Sequence, residues 1–125
     1  MRTITTKEEL KKAIKNKERE VIVLNDNLLK SLAVVSWIQK NKVKGAALLA
    51  AITGLTVGTA GIGGLALSGI VGTGLVVGGL TISTTELLII AALIITIIAL
   101  CRDYDATIDV NSGDKTVSFK YNKSK

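Results

Sequence analysis

Two kinds of apolar spacing alternate along the chain, and they predict different elements. Thr6-Lys7-Glu8-Glu9 is a capping box, with Glu9 three residues after Thr6. It opens a short helix through about Asn16, whose inward face is Leu10, Ala13 and Ile14. Glu20–Leu24 reads as a strand, and Arg2–Thr5 offers another. Asn25-Asp26-Asn27 supplies a turn and an N-cap for a second helix, from Leu28 to about Lys40. Its apolar positions Leu28, Leu29, Leu32, Val35 and Trp37 are too many for a freely solvated helix. That places it at a membrane surface or running into a first span. Near the other end, Ala106–Val110 alternates with Ile108 and Val110 on one face. Asn111-Ser112-Gly113-Asp114 is turn chemistry, and Thr116–Tyr121 alternates again with Val117, Phe119 and Tyr121 aligned. A lone two-stranded hairpin is marginal, so its apolar face needs a partner, and the strand at Val21–Leu24 is the available one.

Between these ends the pattern changes. Gly45 to Thr85 is an uncharged run of 41 residues, and Leu87 to Cys101 is another of 15. A spanning helix needs about 20 apolar residues to cross roughly 30 Å of hydrocarbon. As a single helix the first run would extend about 60 Å, too long for one crossing. The predicted fold is therefore a membrane protein: an α-helical transmembrane hairpin of two spans, with a small α/β cytoplasmic domain formed by both termini. The divisions are residues 1–44 for an N-terminal α/β piece with an interfacial helix, 45–101 for the glycine-rich hairpin, and 102–125 for the β tail that pairs with the N-terminal piece. A buried hairpin inside a soluble assembly is the competing architecture. Only about 68 residues lie outside the apolar region to cover it.

The two apolar runs differ in composition. The first holds eleven of the twelve glycines, whereas the second is rich in Leu and Ile. Bulky aliphatics suit lipid contact, and small residues let helix backbones approach. Ala46, Ala50, Gly54 and Gly58 recur every four residues, as do Ala60, Gly64, Ser68 and Gly72, and Gly74 with Gly78 continues the spacing. This is a glycine-zipper pattern, which packs the hairpin on itself or packs one copy on another. The weakly polar residues of the run, Thr53, Thr56, Thr59, Ser68 and Thr73, are candidates to line a pore.

Charge orients the hairpin. Residues 1–44 hold eleven Lys/Arg against five Asp/Glu, and between Gly45 and Cys101 the one charged residue is Glu86. Lys40, Lys42 and Lys44 abut the start of the first run, and Arg102 abuts the end of the second. The positive-inside rule puts both ends in the cytoplasm, which two crossings satisfy and three do not. The turn falls near Gly78–Thr85. Trp37, Lys40, Lys42, Lys44 and Arg102 are then interfacial anchors facing the bilayer and its anionic headgroups. Glu86 sits near the outer interface, where Thr84 or Thr85 could cap its helix. It either completes that helix N-terminus or serves an ion pathway.

Composition removes most chemistry. There is no histidine and no proline, and one cysteine, Cys101, so no intrachain disulfide forms. There is no nucleophile with a base, no metal-ligand cluster and no phosphate-binding loop. Gly61-Ile62-Gly63-Gly64 lies in the apolar run, the wrong context for a nucleotide. Asp103, Asp105 and Asp109 lack the loop frame of a calcium site. Cys101 reads as a small buried or interfacial residue, with lipidation as a weaker reading. The basic N-terminus lacks aromatic interleaving, which argues against nucleic acid. No enzyme and no cofactor is expected.

Thr6, Glu9, Leu10, Lys11, Ala13, Ile14 and Lys15, then Val21–Asp26, follow the layout Thr-x-x-Glu-Leu-Lys-x-Ala-Ile-Lys, strand and acidic turn. This resembles a loose group of small uncharacterised bacterial membrane proteins with a Gly/Ala-rich membrane segment and a β tail. The resemblance implies the bacterial inner membrane and supplies no site residues. The glycine spacing is also similar to that of some pore-forming and toxin-like membrane proteins. Three functions compete. The first is a homo-oligomer that forms or gates a pore or permeabilises the membrane. The second is a membrane-anchored binding or scaffold module that recruits a cytoplasmic partner. The third is an accessory or immunity-type subunit beside a larger membrane protein.

Overall fold

The computed structural model describes residues 2–56, 75–77, 80–111 and 113–121. In chain order the elements are β1 (Arg2–Ile4), α1 (Lys7–Lys15), β2 (Glu20–Val23), α2 (Asp26–Lys40) and α3 (Lys42–Thr56). A small antiparallel pair follows, β3 (Leu75–Val77) with β4 (Leu80–Ile82), and then α4 (Thr84–Tyr104), β5 (Ala106–Asn111) and β6 (Thr116–Tyr121).

Local chemistry sets the ends of these elements. Thr6 caps α1: its hydroxyl accepts from the Glu9 N–H at 3.2 Å, and the Glu9 carboxylate accepts from the Thr6 N–H at 3.2 Å. Leu10, Ala13 and Ile14 are its buried face. The helix stops in a Schellman turn, with Glu18 N–H donating to the Ala13 carbonyl and Lys17 N–H to that of Ile14, both at 3.0 Å. Lys17 takes the left-handed conformation there, at φ 56°. Asn25 caps α2 through the Leu28 N–H, and its side-chain amide donates to the Thr5 carbonyl, tying the helix start to the end of β1. At the β5–β6 turn, Asn111 accepts from Gly113 N–H and Asp114 from Thr116 N–H, each at 3.0 Å. The Asp114 carboxyl is held below the usual range by the Thr116 hydroxyl and amide.

The main sheet has the order β1-β2-β6-β5. β1 runs parallel to β2, while β6 pairs antiparallel with both β2 and β5. The two ends of the chain thus meet in one sheet, with Val21 opposite Val117 and Val117 opposite Val110. One sheet face is apolar: Ile4, Val21, Val23, Ala106, Ile108, Val117 and Phe119 are all buried. The other carries Thr3, Glu20, Thr107, Asp109, Asn111 and Lys120, all exposed.

α2 lies over the apolar face, and α4 packs against α2, α1 and β5. This explains why α2 is apolar nearly all round: Leu28, Leu29, Leu32, Ala33, Val34 and Val35 are buried between the sheet and the outer helices. Two polar side chains of α2 finish the edge of the sheet. Ser36 donates to the Ile108 carbonyl at 2.7 Å. Gln39 donates to the Ala106 carbonyl at 3.0 Å and accepts from the Ile108 N–H at 2.9 Å. The side chain therefore mimics a neighbouring strand along β5 and satisfies groups an edge strand leaves open.

α2 does not run on into α3. It ends at Asn41, whose backbone and side-chain N–H groups both donate to the Trp37 carbonyl. The turn back is close. A Cβ on Gly45 would sit 2.6 Å from the Ile38 carbonyl oxygen and 2.9 Å from its Cα, so glycine is required by backbone contact.

Candidate functional site

The outer helical layer, α3 and α4, carries several of the residues that the sequence singles out. Ser83 caps α4, rather than Thr84 or Thr85, and Glu86 completes a second capping box. The Ser83 hydroxyl accepts from Glu86 N–H at 3.2 Å, and the Glu86 carboxylate accepts from Ser83 N–H at 3.1 Å. Its other oxygen forms an ion pair with Lys30 of α2. Glu86 is thus fully engaged at a helix N-terminus, where a carboxylate is favoured. At the far end Asp105 takes a left-handed conformation, φ 52°, and turns the chain into β5.

Between these ends α4 has two distinct sides. Leu87, Ile90, Ala91, Ile94, Ile97 and Cys101 are buried against the rest of the fold. Thr85, Leu88, Ile89, Ala92 and Ala99 are exposed at helical spacing, with Thr96 half-exposed among them. The buried side is mostly bulky, whereas the exposed side mixes Leu88 and Ile89 with the small Ala92 and Ala99. Thr96 presents no unsatisfied hydroxyl on that side, because its Oγ1 donates back to the Ala92 carbonyl at 3.0 Å. Residues Thr85–Tyr104 are long and apolar enough to cross a membrane, and a third of that stretch is buried. α3 shows the same arrangement: Leu48 and Ile52 are buried, while Val43, Ala46, Ala47 and Ala50 are exposed. Its 15 described residues are short for a span.

Of the proposed packing stripe, Ala50 lies on the outer face of α3, and Gly54 lies in the last turns of that helix. Gly58, Gly64, Ser68, Gly72, Gly74 and Gly78 lie outside the described residues, as do Thr59 and Thr73 of the pore-lining set. Thr53 and Thr56 fall within α3. The interfacial anchors are spread out. Trp37 is half-buried against the core. Lys40 Nζ sits 2.6 Å from Asp109 Oδ1 at the sheet edge, whereas Lys42 and Lys44 are exposed on the first turn of α3 and Arg102 on the last turn of α4. Among the described residues no three acidic or cysteine side chains gather to hold a metal ion.

Lys30, Ser36, Gln39, Gly45 and Ser83 all hold the outer layer or the sheet edge in place, and the sequence alone assigns none of them that role. Ser83, three residues before Glu86, is the one with a readable signal, since the pair fits a capping box.

The fold and this layer define a class: an α/β unit whose four-stranded sheet is covered on one face by α2, with outer helices that carry an exposed apolar face. The chain belongs to the family described as uncharacterised protein PM1101, and the match runs over residues 3–123, spanning both regions together. No curated protein and no solved structure matches the chain.

Proposed function

We propose that the chain is a membrane protein of the bacterial inner membrane whose outer helices enter the bilayer and assemble with copies of themselves there, forming or gating a pore. The outward side of α4 carries this reading. It is apolar from Leu88 to Ala99, its one central hydroxyl is satisfied within the helix, and its middle is small: Ala92, Thr96 and Ala99. Without a hydrophobic driving force between helices in lipid, small residues are what allow backbones to approach and associate. The outward alanines of α3, Ala46, Ala47 and Ala50, and the glycine spacing that follows them support the same reading.

A docked α4 cannot cross as it stands. α1, with its charged residues, and α2 both touch it, and hydrocarbon does not accept unpaired charge. Crossing requires the N-terminal half of α4 to leave Lys30 while its C-terminal end stays joined to β5 through Asp105. Lys42, Lys44 and Arg102 then lie on the cytoplasmic side.

A second reading has its own observation. The bare sheet face holds a shallow depression of about 320 Å³ lined by Glu20, Asp109, Asn111, Asp114, Thr116 and Ser118. It suits a membrane-anchored module that binds a polar partner.

The test is the mass of the detergent-purified full chain, wild type beside Ala46→Leu/Ala50→Leu, followed by dye release from vesicles. A discrete oligomer that the double variant dissolves, with dye release lost in parallel, is the expected result. A monomer in both proteins would sink the assembly reading and turn attention to the sheet face.

A further inference from the structure

We propose that the cleft at the C-terminal end of α4 binds the headgroup of a zwitterionic aminophospholipid, of the phosphatidylethanolamine class. The inference rests on the membrane reading above and names the lipid that this end of the helix selects.

The cleft encloses about 310 Å³ where α2, α4 and β5 meet. Its apolar part is Val35 and Ile38 from α2 and Ile98 from α4, and its polar part includes Arg102 and Asp105. Both charged residues are exposed, and among the described residues neither forms an ion pair, with each other or with a third group. Two opposite, unpaired charges beside an apolar wall at the end of a spanning helix are complementary to one kind of lipid headgroup. The Arg102 guanidinium offers a planar fork to the phosphate. The Asp105 carboxylate accepts from the primary ammonium. The apolar wall takes the first carbons of a chain that continues beside α4.

The same charges argue against the alternatives. Phosphatidylglycerol would satisfy Arg102 and leave Asp105 facing an anion. The quaternary ammonium of phosphatidylcholine donates no hydrogen bond, and such groups are held by aromatic cages. No aromatic side chain is among the residues lining the cleft. The site is set in place by backbone geometry, because the left-handed turn at Asp105 is what joins α4 to β5 beside it.

The experiment uses the full chain, floated with vesicles of equal phosphatidylethanolamine and phosphatidylglycerol, then extracted in mild detergent for mass spectrometry of retained lipid. The wild type should retain phosphatidylethanolamine over phosphatidylglycerol by about tenfold, the effect of one charge-assisted contact. Asp105→Asn keeps a residue that tolerates the left-handed turn, so it should bring the ratio to parity without loss of fold. Arg102→Gln should lose both lipids, and Lys120→Gln, on the far sheet face, should change nothing. A wild-type ratio at or below one, or a ratio that Asp105→Asn leaves unchanged, would overturn the site while leaving the membrane reading intact. Failure of the wild type to float would overturn the membrane reading and the site together.

Discussion

The sheet unit and the outer helical layer are built on different rules. In the sheet unit the strands and α1 have a polar side and an apolar side, and the two are separated residue by residue. Val117 and Phe119 go in, while Lys120 stays out. In the outer layer both sides of a helix are apolar, and what separates them is contact with the rest of the fold. α4 turns Leu87, Ile90, Ala91, Ile94 and Ile97 toward the fold and leaves Leu88, Ile89, Ala92 and Ala99 outside. The first region is organised against water. The second keeps apolar side chains on its outer side as well.

The largest expected effect tests that division within one helix. Ile94 is fully buried and Ile89 is 67% exposed, five residues apart on α4. Ile94→Ala should cost about 2–5 kcal/mol, the range for truncating a buried aliphatic. Ile89→Ala should stay within about 0.5 kcal/mol. Denaturant melts of the full chain in mild detergent check both. Equal losses would mean that α4 has no inward side, and the distinction between the two regions would fall.

A smaller effect is expected where the regions join. A glycine inside a helix normally gains about 1 kcal/mol on replacement by alanine. At Gly45 the sign should reverse, because the new methyl would meet the backbone of Ile38, with no flexible side chain to move aside. A loss of about 1–3 kcal/mol is the expectation for such overpacking. A melt of Gly45→Ala that matches or exceeds the wild type would show that α2 and α3 are not held in this close turn.

These three substitutions also mark how far the sequence can be read. The alternation in Thr116–Tyr121 and the capping box at Thr6 specify local structure directly, because each depends on residues within one turn or one strand. The Ser83–Glu86 box depends on the same spacing and is equally readable in principle. The inward phase of α4 is not, because Leu, Ile and Ala on both sides give hydropathy no direction to point. The role of α2 shows the same limit from the other side. Its apolar excess is evident in the sequence, and it fits burial by sheet and helix as well as burial by lipid. The bond of Gln39 to Ala106 and Ile108 joins residues nearly seventy apart, and no local pattern encodes it. The charges of Arg102 and Asp105 become a candidate site only once the fold shows that neither forms an ion pair among the described residues.

The smallest effect expected belongs to the sheet unit and concerns pH. The Glu9 carboxyl is held below its ordinary value of 4.5, first by the Thr5 N–H and then by the Thr5 hydroxyl, with Thr6 adding to both. A folded value below the unfolded one means that the unfolded chain binds the proton more readily. The stabilisation from this capping box is therefore fully present above about pH 4.5 and is lost as pH falls through the lowered folded value. Carboxyl carbon NMR should find Glu9 titrating at lower pH in the folded chain than in the chain unfolded by urea. Glu9→Gln, which keeps an acceptor and removes the titration, should flatten the acid limb of the stability curve slightly. Nothing comparable is expected from Ala92 or Ala99 on the outer face of α4, since neither side chain can ionise. Identical Glu9 midpoints in the folded and unfolded chains would mean that the box does not hold its carboxylate, and that α1 begins without the contact that the spacing of Thr6 and Glu9 specifies.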